Sequence, residues 1–456
     1  MTPARTALMH GFFALGSRLD RRQARRELDV LRWAEKADPL ELRARQEARL
    51  RALVRWAYDT VPYYRQAMDG AGVSPGDIQG IDDLPLLPIL RRRDIKVNLG
   101  SLVSERAGRS HLLPQITGGT MGEPMRLYLD RRALPFERAT QWHSLEWAGV
   151  MPWAPVLRLT LDGLRPRTLR IKWWNRLTGS ALMPLEILYA RRTLQVIEML
   201  ERVAPAAILG MPSLLHLLAQ AVLRSGRPVR ARPRCVFYQA EQMEEDTREL
   251  LARAFGVSVF SRYGARELSG MVAQTCGDGR WHLIPEGAIV EVVTGDPGDR
   301  QGMPARRGRL VITDLRNHVM PFLRYEIGDV GAAAGEVKCP CGRTFPVLGA
   351  LEGRYWDWAV TAAGLRIPAS VLQRQTSRLH GDLLWEYQFR QDRPEVLEVV
   401  VVPTGGYGAD RQEELARHLE AVLGGGTTVR VTPVEHIPRE PSGKRPLLKS
   451  TLHQGR

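Results

Sequence analysis

Between Leu157 and Gly264 the chain alternates short apolar runs with amphipathic stretches, and this rhythm limits the fold more than any other feature. Leu157–Leu161 reads as a strand. Arg191–Val203 reads as a helix and is followed by the strand-like AAILG, 206–210. Ser213–Ser225 is helical again, before the strand-like CVFY, 235–238. Glu244–Phe255 is the next helix, and VSVFSRYG, 257–264, the next strand. Strands in regular alternation with helices predict an α/β sheet with parallel pairs. From residue 287 the pattern turns strand-rich, with GAIVEVV and GRLVITDL. The tail is a separate pattern: WEYQFRQ, the turn QDRPE, LEVVVVP, a helix over Ala409–Leu423 stopped by Gly424-Gly425-Gly426, and the strand TTVRVTPV.

These patterns predict a large α/β domain of mixed sheets and helices, followed by a small α+β domain. Residues 1–95 read as the helical N-terminal part of the large domain, broken at Pro39 and Pro62. Residues 96–353 read as its core and 354–456 as a mobile C-terminal domain. At 456 residues the chain exceeds a typical single domain. No apolar run approaches the roughly 20 residues of a membrane span. Leu8–Leu15 is short and lacks a following cleavage site, so it reads as helix and the expected compartment is cytoplasmic. The formal charge of +15 invites a nucleic-acid partner, but the arginines are spread along the chain without interleaved aromatics. No nucleic-acid partner is expected, and a homodimer stays open.

Five segments carry candidate chemistry. ITGGTMGEP, Ile116–Pro124, joins two predicted strands. Its glycines Gly118, Gly119 and Gly122 let backbone N–H groups turn toward an anion, and Thr117 and Thr120 add hydroxyl donors. In SRYGARE, Ser261–Glu267, Tyr263, Gly264 and Glu267 offer an aromatic face, a close approach and a Mg²⁺ ligand. RYEIGDV, Arg324–Val330, presents Asp329 on a Gly turn, where it can accept ribose hydroxyls. LEGRYWDW, Leu351–Trp358, puts Arg354 at the expected domain boundary. PREPSGK, Pro438–Lys444, puts Lys444 on a Ser-Gly turn. Only six of the 65 basic residues are lysines (Lys36, Lys96, Lys172, Lys338, Lys444 and Lys449), so the compact ammonium of Lys444 stands out. Taken singly, each segment also reads as an ordinary turn or surface residue.

In order and spacing the five together resemble the adenylate-forming superfamily of acyl-CoA synthetases and adenylation domains. VPYYRQAMDGAG and IDDLPLLPILRRRDIKVN resemble the phenylacetate–CoA ligase branch and its CapK-like relatives, which extends the likeness to nearly the whole chain. The resemblance implies ATP-dependent activation of a small-molecule carboxylate to acyl-AMP, with release of pyrophosphate. Acyl transfer to CoA would follow, or instead to a carrier thiol, an amine or a sugar. It also implies roles. Thr117, Gly118, Gly119, Thr120 and Gly122 hold phosphates, and Tyr263 and Gly264 meet the nucleotide. Glu267 positions Mg²⁺, Asp329 and Arg354 hold the ribose, and Lys444 bridges the carboxylate and the α-phosphate. Trp142, Tyr238, Gln239 and Ala240 are candidate acyl-pocket residues, and an aromatic acid is the first expectation. The chain departs from the family pattern at Glu123, Arg266 and Trp356. The first removes a phosphate-loop lysine, which Arg126 or Arg266 could replace. A nucleotide-binding pseudoenzyme is the alternative, against which Lys444 argues.

Cys276 and His282, with Cys339-Pro-Cys341 later in the chain, make a Cys₃His set suited to tetrahedral Zn²⁺. Similar clusters in the branch that this chain resembles strengthen that reading. Four protein ligands would close the site and make it structural. Cys235 lies in an apolar strand pattern and reads as core.

Overall fold

A computed structural model describes residues 19–117, 125–160, 179–184, 187, 193–227, 229–241, 243, 245–294, 307–335, 337–354, 358–364, 366–380, 383–424, 426–439 and 446–452. Three helices open the described chain: α1 (Leu19–Ala34), α2 (Pro39–Thr60) and α3 (Pro62–Ala71). Each proline that breaks the sequence pattern sits at the first turn of the next helix, where its missing N–H has no intrahelical partner to lose. Asp38 caps α2 by accepting from the Leu40 N–H at 2.8 Å. Leu50, Leu53, Val54 and Ala57 bury one stripe of α2. A turn-rich connector leads to the short α4 (Arg92–Val97). Arg324 holds the connector to the sheet. Its φ of +49° is costly for a residue with a side chain. Its guanidinium donates to the Leu87 carbonyl at 2.6 Å and pairs with Glu291 at 2.9 Å.

The strands β1 (Leu112–Thr117) and β2 (Met125–Asp130) form an antiparallel hairpin, in register from Leu112 opposite Asp130 to Thr117 opposite Met125. α5 (Leu134–Trp147) follows. Then come β3 (Val156–Thr160), β4 (Ala181–Pro184), α6 (Thr193–Val203), β5 (Ala207–Gly210), α7 (Pro212–Arg224), β6 (Cys235–Gln239), α8 (Glu245–Phe255) and β7 (Ser258–Gly264). β4, β3, β5, β6 and β7 are neighbours in that order, and every pair is parallel. Both faces are covered, so β5 and the first four residues of β6 are buried end to end, as their unbroken apolar runs require. On one face Leu157, Ile208 and Val236 pack with Val196, Leu200, Leu214, Leu218 and Leu251 from α6, α7 and α8. On the other, Val156, Leu209, Phe237 and Phe260 meet Leu145 of α5.

The sheet does not end at β7. It continues antiparallel through β8 (Met271–Thr275), β9 (Trp281–Leu283), β13 (Val347–Arg354), β12 (Tyr325–Ala333), β11 (Arg307–Asp314) and β10 (Ala288–Val293), eleven strands among the described residues. The large sheet's last strand stops at Arg354. A small antiparallel pair follows, β14 (Trp358–Val360) with β15 (Arg366–Pro368). α9 (Ala369–His380) and α10 (Ala409–Leu423) accompany a four-stranded sheet ordered β18 (Thr428–Pro433), β17 (Val396–Pro403), β16 (Leu384–Arg393), β19 (Leu448–Ser450). Leu415, Leu419 and Leu423 of α10 bury against Phe389, Leu397, Val399 and Val401. The strands β16 and β17 run further into the QDRPE turn than the sequence pattern predicts, with Arg393 still paired to Val396. No described helix is long and apolar enough to cross a membrane.

Candidate functional site

The carboxyl ends of the parallel strands bring several predicted residues together, as expected where ligands bind open α/β sheets. Tyr263 and Gly264 close β7. The Tyr263 hydroxyl donates to Asp329 Oδ2 of β12 at 2.7 Å, fixing that carboxylate. Asp329 lies opposite Arg354 in the β12–β13 register. Three segments far apart in the sequence thus meet at Tyr263, Asp329 and Arg354. Gly264 has little room for a side chain, since a Cβ there would stand 3.1 Å from the Gly270 carbonyl oxygen. Three residues on, Glu267 is buried, with Arg92 Nη1 of α4 at 3.7 Å. Its carboxylate could supply one of the few protein ligands that Mg²⁺ takes beside phosphates. Arg266 is exposed, as is Arg126 on β2.

Thr117 ends β1, so the Gly-rich segment begins at the tip of the hairpin. Gly118, Gly119, Thr120, Gly122, Glu123 and Trp356 lie outside the described residues, and so does Lys444. The start of the lysine segment is described. Arg439, five residues before Lys444, pairs with Glu386 of β16 at 3.3 Å and reaches across to the large domain. There it donates to Ser213 Oγ at 3.2 Å and stands 3.9 Å from Glu241, which in turn accepts from the Ser213 N–H at 3.0 Å. Nearby, Arg224 of α7 stacks on the Trp385 ring at 4.1 Å, and Gln220 donates to the Leu384 carbonyl at 3.3 Å. The small domain is therefore seated on α7, with Arg439 beside the turn after β6. In the sequence Arg439 looks like one arginine among many; only the fold shows the carboxylates it meets.

The four pocket candidates do not share one wall. Tyr238 belongs to the cluster under α6, α7 and α8, whereas Gln239 is exposed at the end of β6. Ala240 follows with φ +73°, a conformation a residue with a Cβ resists and which marks a constrained turn. Trp142 of α5 packs instead with the cluster of Leu28, Leu31 and Phe136.

At the far end of α5, Cys276, His282, Cys339 and Cys341 place their ligand atoms within 4.8 Å of one another. The Cys276 and Cys339 sulfurs are 3.6 Å apart, and Cys341 Sγ is 3.3 Å from His282 Nε2. These edges are close to those of a tetrahedron with metal–sulfur bonds of about 2.3 Å. His282 Nδ1 faces the Phe345 carbonyl at 3.2 Å, which favours a proton there and frees Nε2 for a metal. Burial also holds the imidazole below its ordinary pKa, hence neutral. The donor set and geometry suit Zn²⁺.

Charge around this corner is balanced. Glu35 accepts from Trp147 Nε1 at 2.7 Å and Arg343 Nε at 3.1 Å, and His143 Nε2 lies at 3.1 Å. Burial pushes the Glu35 pKa up, but the His143 contact and the Arg343 charge outweigh it, so the net shift is downward. Cys235 is buried in β6 as core, and burial lifts its pKa to about 12, which leaves the thiol inert.

Residues 359–451 match the CapK C-terminal domain family model. The chain is 28% identical to a phenylacetate-coenzyme A ligase of Thermus thermophilus, over 89% of this chain and 95% of that protein. It is 20% identical to protein CapK of Staphylococcus aureus, over 79% and 78%. In fold it is similar to a 2-hydroxyisobutyryl-CoA ligase crystallised in the postadenylation state with 2-HIB-AMP. That similarity has a TM-score of 0.72 at 19% identity and covers 92% of each chain. The resemblance to the adenylate-forming superfamily, in its phenylacetate–CoA ligase and CapK-like branch, thus holds over most of the chain.

Proposed function

We infer that this chain, an adenylate-forming ligase of the phenylacetate–CoA ligase-like type, activates a small carboxylic acid with ATP and then passes the acyl group to CoA. The observation that carries this is the meeting of Tyr263, Asp329 and Arg354, with the Arg439 contacts that seat the small domain on the large one.

In the first step a carboxylate oxygen attacks the α-phosphorus of ATP. The bond to the β-phosphate oxygen breaks, and pyrophosphate leaves. Asp329, oriented by the Tyr263 hydroxyl, accepts the ribose hydroxyls, with Arg354 opposite. Thr117, Gly118, Gly119, Thr120 and Gly122 hold the phosphates. Lys444 would bridge the carboxylate and the α-phosphate and offset the charge that develops between them. Glu267 would hold Mg²⁺, which neutralises phosphate charge. In the second step a thiolate attacks the acyl carbon, and AMP leaves with its phosphate. The small domain would have to rotate between the steps, so the Arg439 contacts with Ser213 and Glu241 would have to release. A carrier thiol, an amine or a sugar is the alternative acceptor. Cys276, His282, Cys339 and Cys341 would hold a structural Zn²⁺, with no open position for chemistry.

Acid-dependent ATP–pyrophosphate exchange tests the reading, on wild type and Lys444→Ala. The expected result is exchange with at least one acid and a loss of roughly 100-fold or more in the variant. ATP binding without exchange for any acid would favour the pseudoenzyme, and no ATP binding would end the nucleotide reading.

A further inference from the structure

The face of the parallel strands beneath α5 carries charge that the fold does not balance. Arg158 of β3, Leu209 of β5, Phe237 of β6 and Phe260 of β7 share one row of the register. Gln239 and Arg262 share the row nearest the strand ends. Arg262 is buried, at 9% exposure. Its guanidinium stacks on the Phe237 ring at 4.2 Å, and its Nε and Nη2 have no hydrogen-bond partner among the described residues. Among the described residues no carboxylate acts on it. Burial lowers its pKa, and the like charge of Arg158 lowers it further, to about 9; the Cys235 thiol only partly opposes them. Arg158 is sunk deep enough that burial lowers its pKa too, yet its side chain is still exposed to solvent.

A buried guanidinium held near a like charge is costly without an anion to meet it. An apolar residue at position 262 would pack against Phe237 and Phe260 at no such cost. The planar fork of arginine, in contrast, suits a carboxylate or a phosphoryl group. Arg262 lies opposite Gln239, which is exposed and directly precedes the strained turn at Ala240, beside the expected path of the acyl group. We propose that Arg262 and Arg158 form an anion subsite on this face of the parallel strands, and that the acid taken by this chain carries a second anionic group at its far end. This rests on the reading of the chain as a carboxylate-activating enzyme. It moves the expected substrate from a plain aromatic acid to a diacid or a phosphoryl-bearing acid.

Binding to the full chain by calorimetry tests the subsite without requiring turnover. The probes are adipate, 6-phosphonohexanoate and the matched monoacid hexanoate, on wild type, Arg262→Met and Arg158→Met. Adipate or the phosphonate is expected to bind wild type at least roughly tenfold more tightly than hexanoate. Which of the two binds names the second group. Both variants should lose the preference, and Arg262→Met should melt above wild type, which a merely structural arginine would not do. Should Arg262→Met fail to fold, the more exposed Arg158→Met still decides. Equal binding of all three probes, or a preference that survives both substitutions, would overturn the subsite. Absence of pyrophosphate exchange with every acid would count against the adenylation reading alone, since the binding preference answers the subsite separately.

Discussion

α5 covers two polar regions on one side of the same sheet, and they are built in opposite ways. Near its carboxyl end, Glu35 collects contacts from His143, Trp147 and Arg343, beside four clustered thiol and imidazole groups. Across the strands, Arg262 and Arg158 meet no carboxylate among the described residues. A buried charge that the protein itself satisfies holds structure together, whereas one that it leaves unsatisfied waits for something from outside. The first region ties α1 and the 339–345 segment to the sheet. The second costs stability that only a ligand can recover.

This contrast can be broken first at the thiol cluster. Cys339→Ser should remove zinc, measured as one metal per chain in wild type by elemental analysis. It should destabilise the fold by on the order of 5 kcal/mol, because metal binding there is folding energy. Unchanged stability with no metal in wild type would remove the zinc reading. Next in size, Glu35→Ala strands Arg343 and His143 and should cost about 3–5 kcal/mol in denaturant unfolding.

The same carboxylate sharpens the contrast through pH. Its folded pKa is depressed, so its contribution is complete above the unfolded value and lost as pH falls through the folded one. The stability gap between wild type and Glu35→Gln should therefore be full at neutral pH and close only below the ordinary carboxylate range. A gap that widens on acidification would contradict the assignment. Smaller and opposite in sign, Arg262→Met should raise stability by about 1 kcal/mol or more, since it removes an unpartnered charge. Smallest, and on the nucleotide side, Tyr263→Phe removes one hydrogen bond to Asp329. It should weaken ATP binding by roughly three- to tenfold, read by titration. Unaltered ATP affinity would detach Tyr263 from the nucleotide.

The sequence yields the parallel half of the sheet well, because AAILG and CVFY are continuous apolar runs between clear helices, and strands buried on both faces demand that pattern. The antiparallel extension through β8, β9 and β13 is less legible. β9 has three residues, and its partners on β13 lie more than sixty positions away, so no local period announces it. The meeting of Tyr263, Asp329 and Arg354 is legible as motifs but not as geometry. Arg262 and Arg439 stand inside quoted motifs, yet in a chain this rich in arginine neither draws notice. Only register shows that Arg262 faces Phe237, and only the seating of the small domain shows that Arg439 meets Glu241.

Oxygen transfer tests the central claim most directly. An acid that supports exchange, labelled with ¹⁸O in its carboxylate, would be turned over with ATP and CoA, and the AMP product weighed by mass spectrometry. If the carboxylate attacks the α-phosphorus, AMP gains one ¹⁸O and pyrophosphate none. Label in pyrophosphate or phosphate, or AMP formed without label, would contradict an acyl-adenylate route for this chain.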